Sequence, residues 1–165
     1  MKTLYLLRHA KSSKDQPDLQ DFDRPLNDRG YADAHLVSKY LTAKKVRIDT
    51  MITSPAIRTM STALIFAKQL NFPFDKILLK KQLYNSDVED YLICLSEIKD
   101  GDRILLVGHN ESISELAQKL SINYLNSLRT CAIACFQFNI SSWKDIGKSK
   151  GDLIFEVDPD ILKEE

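Results

Sequence analysis

Short apolar runs alternate along this chain with longer stretches in which apolar residues return every three or four positions. That order predicts strands followed by helices around a parallel sheet. The run Thr3–Leu7 (TLYLL) reads as the first strand. After a polar loop rich in Asp and Pro, LNDRGYADAHLVSKYLTAKK predicts a helix capped by Asn27, with Tyr31, Ala34, Val37 and Leu41 on one face. DTMIT follows as a second strand, and SPAIRTMSTALIFAKQL as its helix. Here Ser54 is the expected N-cap, Pro55 the first helical residue, and Ile57, Met60, Leu64 and Ala67 the buried face. KILLKK predicts a third strand, and SDVEDYLICLSEI a helix with Val88, Tyr91, Leu92, Leu95 and Ile98 turned inward. GDRILLVGH is the fourth strand, and Asn110 is the expected cap of ESISELAQKL, with Ile113, Leu116, Ala117 and Leu120 on its apolar face. CAIACFQFNI and DLIFEV predict a closing pair, joined across the polar SSWKDIGKSKG as a hairpin at a sheet edge. The expectation is one α/β domain over residues 1–165, without an internal repeat or linker.

Composition narrows the function more than the fold. Lys and Arg number 23 and Asp and Glu 23, so no net charge favours nucleic acid or an anionic membrane, and any anion site must be local. Cys94, Cys131 and Cys135 lie in apolar runs, are odd in number and lack the close Cys/His spacing of a zinc site. They read as buried thiols of a cytosolic protein. The apolar stretch before Arg8 is too short for a signal peptide, and no run approaches membrane-spanning length, so a cytoplasmic protein is expected. The C-terminal DPDILKEE carries no reading beyond an exposed tail.

Candidate chemistry gathers where strands end. In open α/β sheets, ligands bind beyond the carboxyl ends of the strands, where following helices also aim their N-termini. Arg8 and His9 follow the first strand, Arg58 sits in the first turn of the helix after the second, and Gly108 and His109 follow the fourth. Guanidinium forks match phosphate oxygens, and a neutral imidazole can attack phosphorus. His9 is the candidate nucleophile, kept neutral by nearby arginines. His109 is a candidate donor to the phosphoryl oxygens in the transition state, a role shared with Arg8 and Arg58. The scheme requires no metal or other cofactor. The third histidine, His35, lies inside the first helix, away from every strand end, and receives no functional role.

With these residues in place, the sequence resembles the histidine phosphatase superfamily, the phosphoglycerate-mutase-like enzymes, and especially the SixA-type phosphohistidine phosphatase branch. LLRHAKSS is similar to the nucleophile motif, DFDRPLNDRG to the segment leading into the first helix, ITSPAIRTMSTA to the second-arginine motif and LLVGHNESI to the second-histidine motif. The resemblance implies a three-layer sandwich with a mostly parallel central sheet and helices on both faces. It also implies a phosphate-accepting His9, phosphate contacts from Arg8 and Arg58, and a second catalytic histidine at His109. Ser12 falls where relatives often carry a polar phosphate-loop residue, and equally reads as a turn serine. Arg24, Pro25 and Gly30 match the segment before the helix and read as structural, with Arg24 pairing to a loop acid. Thr62 reads as helix packing, and Asn110 as a cap beside the pocket.

One departure bears on the substrate. Mutases and phosphomonoesterases of this superfamily usually carry a glutamate after the third strand as general acid, whereas this chain reads QLYNSD. Asp87 and Glu89 follow, where the helix dipole already explains a first-turn charge. A positioned acid is typically worth about 10²–10⁴-fold for an alkoxide leaving group, while the labile P–N bond of phosphohistidine needs it less. The expected function is therefore a phosphatase working through phospho-His9 on protein phosphohistidine, its partner a phosphorylated protein such as a histidine phosphotransfer domain. A general phosphatase for small phosphomonoesters and a non-catalytic phosphate-binding module are the alternatives.

Overall fold

The computed structural model describes all residues 1–165. Strands β1 (Lys2–Arg8), β2 (Thr50–Thr53), β3 (Leu78–Leu79), β4 (Arg103–Gly108), β5 (Ile133–Phe138) and β6 (Asp152–Val157) form one sheet in the order β3-β2-β4-β1-β5-β6. The pairs β3–β2, β2–β4 and β4–β1 are parallel. The β1–β5 and β5–β6 pairs are antiparallel, so the predicted closing hairpin forms at the sheet edge. β1 and β4 are buried on both faces, and their side chains alternate between two cores. Leu4, Leu6, Ile104 and Leu106 point to one, Tyr5, Leu7, Leu105 and Val107 to the other. Helices α1 (Asp28–Ala43), α2 (Ile57–Gln69) and α5 (Pro159–Lys163) cover the second core, and α3 (Val88–Ser96) and α4 (Ser112–Leu120) the first. This is the expected α/β sandwich, with β1, β2 and β4 all ending on one rim.

Several local expectations change in the folded chain. Asn27 does cap α1, its Oδ1 accepting from the Gly30 amide at 2.8 Å. Tyr31, however, is exposed, because the buried stripe runs through Gly30, Asp33, Ala34, Val37 and Leu41, with Tyr31 at its margin. Gly30 is required there: a Cβ would run into the Lys11 carbonyl oxygen, which accepts from the Asn27 amide at 3.0 Å. In α2 the inward face is Thr59, Thr62, Ala63, Phe66 and Ala67 rather than the predicted Ile57, Met60, Leu64 and Ala67. Small side chains let this helix lie close to the sheet. Its threonine hydroxyls are satisfied on backbone carbonyls, Thr59 on Ser54 at 2.8 Å and Thr62 on Arg58 at 2.7 Å, so their burial leaves no polar group unpaired.

Ser54 is not the cap of α2, which begins at Ile57 after Ala56 without a side-chain cap. Nor does Asn110 cap α4; that position is Glu111, and Asn110 instead bonds Ser114 and Ser127, tying α4 to the segment before β5. The third strand shrinks from six predicted residues to Leu78–Leu79, since it pairs on one side only and its flanking lysines face solvent. The polar loop before β6 holds a 3-10 turn, Trp143–Lys148, that buries Trp143 and Ile146; the Trp143 indole N–H donates to the Gly101 carbonyl at 2.8 Å. The C-terminal residues are not a free tail. Asp158 caps α5, and Lys163 reaches the buried Asp33 of α1 at 2.9 Å.

Candidate active site

The rim where β1, β2 and β4 end holds a cavity of about 250 Å³ with no hydrophobic side chain in its lining. All five predicted site residues, Arg8, His9, Ser12, Arg58 and His109, line it. The backbones of Arg8 and His9 are fixed at the end of the sheet. The His9 amide donates to the Gly108 carbonyl at 3.1 Å, and the Cys131 amide is shared between the Arg8 and His9 carbonyls, both at 3.1 Å. The next amide, Ala10, donates to Thr62 Oγ1 at 3.0 Å. Thr62, expected only to pack its helix, thus ties the nucleophile loop to α2 one turn beyond Arg58.

The two imidazoles face each other, ring centroids 5.5 Å apart. His9 Nδ1 lies 2.7 Å from the Ala10 carbonyl oxygen, an acceptor only, so Nδ1 carries the proton and Nε2 keeps its lone pair. Burial pushes the His9 pKa down to about 3; the Ala10 bond, next in size, opposes this, and His109, Arg58 and Arg8 add smaller downward shifts. Burial likewise lowers His109 to about 4, with Arg58 next in size. Both rings are neutral at physiological pH. The arginines contribute as the sequence indicates, but desolvation is the larger cause.

His109 is held by residues from three elements. Its Nε2 lies 2.8 Å from Ser54 Oγ, which also accepts weakly from the Ala56 amide at 3.4 Å. The His109 amide donates to the Tyr91 hydroxyl at 3.1 Å, an approach that requires Gly108, since a Cβ there would strike that hydroxyl. Tyr84 packs edge-on against the His109 ring, centroids 5.7 Å apart.

Arg8 and Arg58 are each anchored through terminal nitrogens. Arg8 donates to the Leu128 carbonyl at 3.0 Å. Arg58 donates to the Asp21 carbonyl at 2.6 Å and to its carboxylate at 2.9 Å. Asp21 sits in a 3-10 turn, Asp21–Asp23, and also accepts from Arg24 at 2.9 and 3.1 Å and from the Tyr84 hydroxyl at 2.7 Å. Partial burial alone would raise its carboxyl, but the bonds from Tyr84, Arg24 and Arg58 outweigh that and hold it well below the usual carboxylate range. Three buried nitrogens of these residues keep no partner within the protein: Arg8 Nε, Arg58 Nε and His109 Nδ1.

Arg24 does pair with a loop acid, as expected, yet it also lines the cavity and donates to Ser12 Oγ at 2.8 Å. Asp87 and Glu89 stay out of the site. Asp87 caps α3 in a reciprocal box with Asp90, and Glu89 pairs with Lys119 at 3.0 Å. Asp21 and Tyr84 carry no expectation from the sequence, while Ser54 reads there only as a helix cap and Tyr91 only as part of a buried helix face. The one available signal was DFDRP, which sets an acid three residues before Arg24.

The sequence model of the histidine phosphatase superfamily (branch 1) matches residues 4–91, the span that contains Arg8, His9, Asp21 and Arg58. The chain belongs to that superfamily. An uncharacterized chloroplastic protein of Arabidopsis thaliana is 31% identical over 153 residues, covering 87% of this chain and 70% of its own length. Among solved structures, the protein histidine phosphatase SixA complexed with tungstate superposes with a TM-score of 0.83 at 21% identity, covering 97% of this chain and 99% of that one. A protein from Agrobacterium tumefaciens, assigned as a phosphohistidine phosphatase SixA, gives 0.82 at 25% identity over 94% and 97%. This histidine phosphatase therefore has the SixA fold, and no helix in it is long and apolar enough to cross a membrane.

Proposed function

We propose that the protein is a phosphatase that forms a phosphoryl intermediate on His9 Nε2 and acts on protein phosphohistidine, with residues 1–165 as one catalytic domain. The observation that carries the reading is that Arg8, Arg58 and His109, each with a buried nitrogen (Nε, Nε and Nδ1) that has no protein partner, line one cavity together with the neutral ring of His9. Buried donors left unpaired are costly and rare. Three of them beside one nucleophile suit the equatorial oxygens of a phosphoryl group in transfer.

In the first step the Nε2 lone pair attacks phosphorus and forms an N–P bond, while the P–N bond of the substrate breaks and its imidazole nitrogen takes a proton from solvent. The Nδ1–H bond to Ala10 persists and stabilises the charge the ring acquires. In this scheme the Ser54 hydroxyl donates to His109 Nε2, so that Nδ1–H of His109 is the donor toward the phosphoryl oxygens. In the second step water attacks phosphorus, the N–P bond to His9 breaks, and inorganic phosphate leaves with the proton balance returned to solvent. Ser12 serves this scheme through Arg24 as a contact at the edge of the phosphate site.

The proton inventory favours a phosphoramidate over an ester. The carboxylate bound to Arg58, Asp21, is held ionised with both oxygens engaged, and Asp87 and Glu89 are committed elsewhere. No carboxylic acid is poised to protonate an alkoxide. The three free, buried cysteines fit a reducing compartment, and the cytoplasm is our reading. The test is phosphate release from a histidine-phosphorylated phosphotransfer domain and from a phosphomonoester, side by side with chelator present. Fast, His9-dependent release from phosphohistidine alone supports the reading; equal or faster release from the ester contradicts the substrate assignment.

A further inference from the structure

The cavity carries more positive charge than one phosphoryl group needs. Beside Arg8 and Arg58 it is lined by Lys11, Lys14 and Arg24, and by no acidic side chain. Asp21 offsets Arg24 and Arg58 from behind through its ion pairs at 2.9 Å. Lys11 and Lys14 have no ion-pair partner; both are exposed on the loop after His9. That loop is fixed. The Asn27 amide holds the Lys11 carbonyl, the Ser13 amide donates to the Pro25 carbonyl at 2.8 Å, Ser12 bridges to Leu26, and Arg24 bonds Ser12 Oγ. The two lysine backbones are therefore preset in the lining of the cavity, three residues apart, with their side chains exposed.

We propose that Lys11 and Lys14 form a subsite for a second anionic group, a carboxylate or a phosphate, that the substrate carries beside the phosphoryl group to be removed. On a phosphorylated protein this means an acidic side chain next to the phosphorylated residue. The inference rests on the inner pocket being a phosphoryl site. Two mobile ammonium groups suit this task better than a second guanidinium fork, since they follow an anion whose position varies between substrates.

The probes are methylphosphonate, with one anionic group, against 3-phosphonopropionate and methylenebisphosphonate, which add a carboxylate or a second phosphonate and cannot be hydrolysed. Calorimetric Kd values are compared for wild type and for the Lys11→Ala/Lys14→Ala variant, whose lost side chains make no contact on which folding depends. A Lys68→Ala/Lys76→Ala variant, altered at the far end of α2 and just beyond, removes the same charge elsewhere. Wild type is expected to bind at least one two-anion probe about tenfold tighter than methylphosphonate. The gain should vanish in Lys11→Ala/Lys14→Ala, persist in the control and shrink with salt. Whichever probe gains names the second anion. A gain that is absent in wild type, or that survives loss of both lysines, overturns the subsite while leaving the inner pocket intact. Failure of wild type to bind methylphosphonate together with the other probes overturns the inner pocket and the subsite at once.

Discussion

β1 and β4 carry basic residues at both ends, and the two ends treat them in opposite ways. Where the strands begin, Lys2 pairs with Asp102 at 2.7 Å and donates to the Gly101 carbonyl, while Arg103 pairs with Asp49 at 2.8 Å. Asp49 also accepts from the Asp102 and Arg103 amides, at 3.0 and 2.9 Å. All four of these charges, Lys2, Asp49, Asp102 and Arg103, are answered within the fold. Where the strands end, Arg8 and His109 keep buried donors unpaired, and Arg58 beside them keeps a third. A fold that can pair its charges so completely at one end and does not at the other has the second end organised around something it binds.

The sharpest break of that contrast is His9→Ala, expected to lower turnover of any phosphorylated substrate by at least about 10⁴-fold, since the group that accepts phosphorus is gone. Phosphate-release assays read it directly. Next is Arg58→Ala, which removes one of the three unpaired donors and should cost about 10²–10³-fold in kcat. Arg58→Lys should restore little of this, because an ammonium cannot both hold Asp21 and present Nε. Asp21→Asn weakens the grip on Arg58 and Arg24 without touching the reacting atoms. It should cost roughly 10-fold, with the loss mainly in KM. At the opposite end, Asp49→Ala should leave kcat and KM unchanged and lower stability by about 1 kcal/mol in chemical denaturation.

Proton linkage separates the two ends as well. The pKa of His9 near 3 and of His109 near 4 keeps the nucleophile free well below neutral pH. On an acid-stable phosphomonoester, however slow, the rate profile corrected for the substrate's own ionisation at about pH 6 should therefore stay level from pH 7 to about pH 5 and fall below it, rather than bend at the ordinary histidine value of about 6.5. Because both folded values lie below the unfolded one, the histidines favour the native state fully above about pH 6.5 and progressively less as pH falls toward 4 and 3. Asp49, lowered chiefly by Arg103, gives stability that is present above its unfolded value near 4 and is lost only in stronger acid.

The legible part of this molecule is what repeats locally or stands at a chain position with its own meaning. The short apolar runs TLYLL and RILLVG, the Asn27 cap, and the placing of Arg8, His9, Arg58 and His109 at strand ends all follow from neighbours a few residues away. The inward face of α2 did not, because Thr59 and Thr62 become buriable only once their hydroxyls find carbonyls. Ile57 and Leu64, with more apolar surface, were left outside. Trp143 looked like part of a polar loop until Gly101 supplied an acceptor 42 residues away. Asp21 is the plainest case. Its role depends on Arg58, 37 residues on, and Tyr84, 63 residues on, and no local pattern announces either.

The central claim is that His9 Nε2 accepts the phosphoryl group, and alkaline quench of the enzyme during turnover, followed by peptide mass spectrometry and phosphorus NMR, tests it most directly. One phosphoryl group is expected on His9, attached at Nε2 and absent from His9→Ala. A phosphoryl group on another residue, attachment at Nδ1, or sustained turnover with no phosphoenzyme under conditions that preserve phosphohistidine would contradict it.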